Sequence, residues 1–191
     1  MDVTTFVLLG ITVGFFFYVV MIYNNLVRLK HNVSRAWSNI DVLLKQRHDE
    51  LPKLIETCKQ YMQHERAVLE NVTKARAAVA QAREAGDIGA LGAAETQMRI
   101  GLGNLFAVAE NYPDLKANEN FAHLQTRISQ LETQISDRRE FYNDSVNINN
   151  IRIEQFPDNI VATLFRFEER ELLKFKEAEI KDVDVAKLFN G

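Results

Sequence analysis

Residues 36–65, AWSNIDVLLKQRHDELPKLIETCKQYMQHE, decide the fold. Trp37, Ile40, Leu44, Arg47, Leu51, Leu54, Cys58 and Tyr61 follow one another at alternating spacings of three and four. That is the 3.5-residue period of a helix whose apolar seam faces other helices in a coiled-coil-like bundle. The seam starts earlier, at Val33. It continues through Glu65 to Val68, Val72, Ala75, Val79 and Ala82, and Gly86 follows as a left-handed helix cap. Pro52 lies inside the pattern, where it removes one helical hydrogen bond. Leu51 and Leu54 keep phase across it, which favours a kinked continuous helix over a break at Asp49–Glu50. The pattern therefore predicts one helix over 24–85, about 93 Å long at 1.5 Å per residue.

Upstream, Val3 to Tyr23 reads VTTFVLLGITVGFFFYVVMIY, 21 residues without a charge. As a helix it covers about 32 Å, matching a bilayer core of about 30 Å. A cleaved signal peptide is the alternative. Met1-Asp2 supplies no basic leader, however, and no small-residue cleavage site follows the apolar run. A retained single-pass anchor over 1–23 is the expectation. Arg28, Lys30 and Arg35 follow the span and Asp2 precedes it, which puts the short N-terminus outside and the soluble part in the cytoplasm. The expected location is the inner (cytoplasmic) membrane. Gly10 and Gly14 form a Gly-x-x-x-Gly, a pairing that lets two membrane helices pack closely.

Downstream, a second helix is predicted over 88–111, with the seam Ile88, Leu91, Glu95, Met98, Leu102, Leu105 and Ala109. It ends at Tyr112-Pro113-Asp114. A third helix is predicted from the N-cap Asn118, with the seam Phe121, Leu124, Ile128, Leu131, Ile135, Arg138 and Tyr142. It fades at the Asn-rich 147–150. A short helix capped by Asp158 follows. Phe175, Ile180, Val183, Val185, Leu188 and Phe189 lie along an extended tail suited to docking. The expected architecture is thus all-α. A transmembrane helix over 1–23 continues into an antiparallel helical bundle over 24–155, and the remainder, 156–191, packs on the bundle or on a neighbouring protomer. The second and third helices, about 36 and 50 Å long, are too short together to cover a 93 Å first helix. Val33, Trp37, Ile40 and Leu44 are therefore expected to form an assembly seam, covered by the tail or by another copy of the chain.

Composition bounds the function. With 47% hydrophobic and 26% charged residues the chain is globular, and a net charge of -3 offers no footprint for nucleic acid. One cysteine, Cys58, excludes an internal disulfide, and its seam position reads as a small buried apolar residue. Metal chemistry is not indicated. His64-Glu65 lacks the second histidine of a zinc-peptidase helix, and the residues three before His31, His48, His64 and His123 are Arg28, Lys45, Tyr61 and Asn120 rather than glutamates. Glu119 and His123 are one helical turn apart, which a solvated face explains. No nucleophile elbow or phosphate loop occurs, so no enzyme and no cofactor is expected. Four charged seam residues stand out: Arg47, Glu65, Glu95 and Arg138. Buried charges destabilise unless paired, so some of these are expected to pair across helices and fix register; drift of the stripe to its edge is the alternative.

Several runs resemble the bacterial LemA family: YNNLV at 23–27, AWSNIDV at 36–42, LPKLIET at 51–57, ENYPDLKANENF at 110–121, Tyr142-Asn143 and Phe156-Pro157. The likeness covers nearly the whole chain, and departs from it only at Cys58 and at Gln46-Arg47-His48. The resemblance implies a single-pass membrane protein with a cytoplasmic antiparallel bundle. It implies work at membranes with partners, since similar proteins are linked with HtpX-type stress peptidases and a magnetosome-membrane protein belongs to the family. It supplies no catalytic residues. The expected function is a membrane-anchored, non-catalytic structural or interaction protein that forms a homo-oligomer and recruits partners. The alternative is an adaptor or regulator of a membrane peptidase.

Overall fold

A computed structural model describes residues 2–175, and among these every regular element is helical. The elements are α1 (Val3–Tyr61), α2 (Arg66–Ala85), α3 (Ile88–Ala109), α4 (Pro113–Lys116), α5 (Glu119–Glu154) and α6 (Asp158–Leu164). The described residues form two compact units, one from 2–44 and 133–172, the other from 45–132 and 173–175.

In the second unit, α1 passes through Pro52 unbroken, as the phase of Leu51 and Leu54 predicts. The proline lacks the N–H that would bond to the His48 carbonyl one turn earlier. Arg76 of α2 takes up that carbonyl: its Nε donates to His48 O at 3.0 Å, and its Nη2 lies 2.7 Å from His48 Nε2. Proline here opens a backbone acceptor to a neighbouring helix.

The reversal lies elsewhere. α1 ends at Tyr61 and α2 starts at Arg66, so the expected single helix over 24–85 is two helices joined at 62–65. No glycine or proline marks that turn; side chains hold it. Met62 is fully buried, the Tyr112 hydroxyl donates to Glu65 at 3.1 Å, and Asn118 Nδ2 donates to the Tyr61 hydroxyl at 3.1 Å. Gly86, at φ +68°, caps α2, and Asp87 accepts the Ala90 N–H at 2.8 Å to start α3. α2 and α3 lie antiparallel, with a Cβ placed on Gly101 only 3.4 Å from Val72 Cγ2. Asn118 caps α5 through the Phe121 N–H at 3.0 Å. The ENYPDLKANENF corner is thus fixed by its own chain, with Leu115 fully buried.

In the first unit, α1 and α5 lie antiparallel, with the Trp37 and Tyr142 rings edge to face at 5.7 Å. α5 runs through the Asn-rich 147–150 without a break. The reason is a use for the amides: Asn150 Oδ1 accepts the Arg170 N–H and its Nδ2 donates to the Arg170 carbonyl, each at 2.9 Å. Tyr142 donates to the Glu171 carbonyl at 2.9 Å, so the extended chain after α6 is laced to α5. Asp158 does not cap α6 through its side chain; it is buried and paired with Arg152 Nε at 2.9 Å.

Candidate functional site

The seam residues Val33, Ile40 and Leu44 are buried within the chain, and Trp37 is half-buried. Of the two covers expected for them, the tail or another copy of the chain, the second is not needed, because their own chain already buries them. Coverage suffices because α1 ends at Tyr61 and α5 reaches Glu154, longer than the Asn-rich run suggested. Gly10 and Gly14 stand open, with nothing within 4 Å of a Cβ built on either.

Of the four polar seam residues, two converge. Arg47 of α1 and Glu95 of α3 are both fully buried, and the Arg47 guanidinium donates to Glu95 and, from its other Nη, to Glu132 of α5. Glu132 was not among the expected residues. It stands one position past Leu131, at the edge of the stripe, where a sequence pattern does not separate a buried carboxylate from a solvated one. Two carboxylates share one guanidinium, while Glu95 Oε2 and Arg47 Nε have no hydrogen-bond partner. Burial disfavours the charge on Arg47, but Coulombic attraction from Glu95 and Glu132 together outweighs it and holds the guanidinium charged above its ordinary range. Burial pushes the Glu95 carboxyl up, Arg47 opposes the shift and Glu132 adds to it. Arg47 and Glu95 lie in the interior and Glu132 is half-buried, so one guanidinium ties α1, α3 and α5 together.

Glu65 accepts from Tyr112 at the helix turn, and Arg138 is exposed beside a groove lined by Asn39, Val42, Leu43, Gln134 and Asp137. Cys58 is buried and its thiol is pushed up to about 12 by desolvation, which leaves it protonated at neutral pH. Burial and then Arg76 lower the His48 imidazole. Glu119 and His123 both lie exposed, and among the described residues no three His, Cys, Asp or Glu side chains are arranged to hold a metal ion.

The extended chain after α6 continues into the second unit, where Leu173 is buried and a Cβ on Gly92 would stand 2.2 Å from the Lys174 carbonyl oxygen. Phe175 lies under the Arg99 guanidinium, 5.9 Å to the ring centre. Ile180, Val183, Val185, Leu188 and Phe189 of the expected docking tail lie outside the described residues.

The remaining large surface is apolar. Residues 3–21 of α1 are exposed almost throughout, with Phe6, Phe15, Phe16, Phe17 and Met21 among them. The helix is long and apolar enough there to cross a membrane.

Residues 36–186 match the LemA family. The chain is similar to the magnetosome protein MamQ 2 of Paramagnetospirillum magneticum, 25% identical over 93% of this chain and 74% of that protein. It is similar to the protein LemA of Metamycoplasma hominis, 29% identical over 94% of this chain and 82% of the relative. MamQ of Magnetospirillum gryphiswaldense is 23% identical over 87% of this chain and 70% of its own length.

Proposed function

Given that the chain belongs to the LemA family, we propose that it is a membrane-anchored, non-catalytic interaction protein that self-associates at the cytoplasmic membrane and presents its bundle to partners there. The observation that carries this reading is the change of character along α1. Its first 19 residues, 3–21, are uncharged and, but for Val19, exposed, and from Ile22 onward the same helix buries a regular seam within its own chain. An exposed face of that size destabilises a chain in water and suits lipid. Residues 1–23 serve as anchor, 24–155 as bundle, and 156–191 as a C-terminal segment, of which the part up to residue 175 is described and packs on the bundle. Arg28, Lys30 and Arg35 favour a cytoplasmic bundle.

Self-association is assigned to the open Gly10–Gly14 face of the anchor, since the seam at 33–44 is already filled. Arg47, Glu95 and Glu132 act in register. The soluble surface offered to partners is the one around Val42 and Phe141, both exposed, with the Arg138 groove beside Val42. Light scattering of the full chain in mild detergent tests the reading. An oligomer that dissociates on Gly10→Leu with Gly14→Leu supports it, and a monomeric wild type contradicts it. Protease added to intact cells is expected to spare the bundle. Co-purification of a membrane peptidase from detergent extracts would favour the adaptor role.

A further inference from the structure

We propose that α6 and the aromatic residues flanking it lie in the membrane surface, forming a second lipid contact beside the anchor. The proposal rests on the reading of 3–23 as a membrane span.

The seven residues of α6 are apolar on two opposite sides. Val161 and Ala162 face inward and join Ile22 and Leu26 in one cluster, with Val19, Ile153 and Phe167 packed against it. Ile160 and Leu164, one turn apart, face outward. Leu164 is 71% exposed, and Phe156 before the helix is 79% exposed. Asp158 and Asn159 open the helix and Thr163 lies beside Leu164, but Phe156, Ile160 and Leu164 leave a cluster of large apolar side chains exposed, which suits an apolar medium better than water.

Its position says which medium. The cluster fastens α6 to residues 19–26 of α1, across the end of the apolar stretch at Tyr23. Tyr23 itself contacts the rings of Phe165 at 4.7 Å and Phe167 at 5.8 Å. Aromatic side chains gather at the level where hydrocarbon meets headgroups. Arg28 and Lys30 follow Tyr23 by five and seven residues, about 8–10 Å along the helix, which is headgroup depth. A short element pinned at that level sinks its outward face about 5–10 Å into the boundary, as interfacial helices do. The Arg152–Asp158 ion pair holds α6 in place from α5, so its outward face is presented without ordering on binding. The occupant is the lipid surface, continuous with the exposed lipid-facing side chains of Phe17 and Met21.

The test uses the full chain with Cys58→Ala and single cysteines at Val13, Ser38, Ile160 or Leu164, each carrying an environment-sensitive fluorophore. The labelled proteins are reconstituted in phosphatidylcholine–phosphatidylglycerol vesicles containing spin-labelled lipid. All four positions are exposed, so the labels leave the core intact. The expected result is blue-shifted emission and quenching by shallow spin labels at Ile160 and Leu164, quenching by deep labels at Val13, and neither shift nor quenching at Ser38. Quenching at Val13 with Ile160 and Leu164 behaving like Ser38 overturns the proposal and leaves the anchor standing. A blue shift at Ile160 and Leu164 without lipid quenching also overturns it, because protein rather than lipid then covers α6. No quenching at Val13 removes the anchor reading and the proposal with it.

Discussion

The unit built from residues 2–44 and 133–172 and the unit built from 45–132 and 173–175 share the two long helices α1 and α5, yet they treat apolar side chains in opposite ways. Among the described residues, the exposed large hydrophobic side chains all fall in the first unit, from Val3 to Tyr23, at Val42, and from Phe141 to Phe165. The second unit exposes none of that size, and it even buries a charged cluster around Arg47. Four helical segments surround the core of the second unit, enough to close it. The first unit has two long segments and α6, and an antiparallel pair cannot bury both of its sides. The second unit therefore covers its own apolar side chains, whereas the first leaves a large apolar surface exposed.

The largest expected effect lies in the second unit. Arg47→Ala leaves Glu95 buried and unpaired, and chemical denaturation in detergent should show a loss of about 3–5 kcal/mol. A loss near that of a surface substitution would mean the cluster is solvated. Next are Ile40→Ala in the first unit and Leu54→Ala in the second. Both side chains are fully buried, so each should cost about 2–5 kcal/mol in the same assay. A near-zero cost at Ile40 alone would restore the idea of an uncovered seam there and sharpen the contrast.

Smaller effects follow. A double-mutant cycle of Arg76→Ala and Pro52→Ala should show a coupling of about 0.5–3 kcal/mol, because replacing the proline restores a backbone N–H that competes for the His48 carbonyl. Additive effects would separate the proline from the Arg76 contact. The pH dependence has a definite sign. Burial raises the folded-state Glu95 carboxyl, in the presence of Arg47, Arg99 and Glu132. The folded state therefore binds that proton more tightly than the unfolded chain. Its stabilisation is full below the ordinary carboxyl range and is lost as pH rises through the raised value. Glu95→Gln should remove that decline from a stability-versus-pH series; an unchanged slope would assign it to other groups. Least of all, Val42→Ser should change stability by under about 0.5 kcal/mol, since an exposed side chain supports no fold.

Much of this was legible in the sequence because helical period and cap chemistry are local. The long apolar helix at the start, the phase held across Pro52, Gly86 and Asn118 as caps, and the burial of Cys58, Met98 and Ile128 all follow from local pattern. The turn at 62–65 was not legible. Its residues are ordinary helix formers, and the spacing of Tyr61, Glu65 and Val68 happens to continue the seam. Tyr112 and Asn118, far along the chain, hold that reversal. The same holds for Arg76 on the His48 carbonyl and for Glu132 beside Arg47. Such contacts exist only once the helices have packed. The Asn-rich end of α5 misled in the other direction, because its polar side chains serve the returning chain at Arg170 rather than breaking the helix.

Carbene footprinting of the full-length protein in native membranes tests whether the first unit is completed from outside. Labelling at Val42, Phe141, Ile160 and Leu164 should fall well below labelling at Lys53 and Lys74, which are comparably exposed on the second unit. Equal labelling across both units would contradict that completion and leave the apolar surface of the first unit facing water.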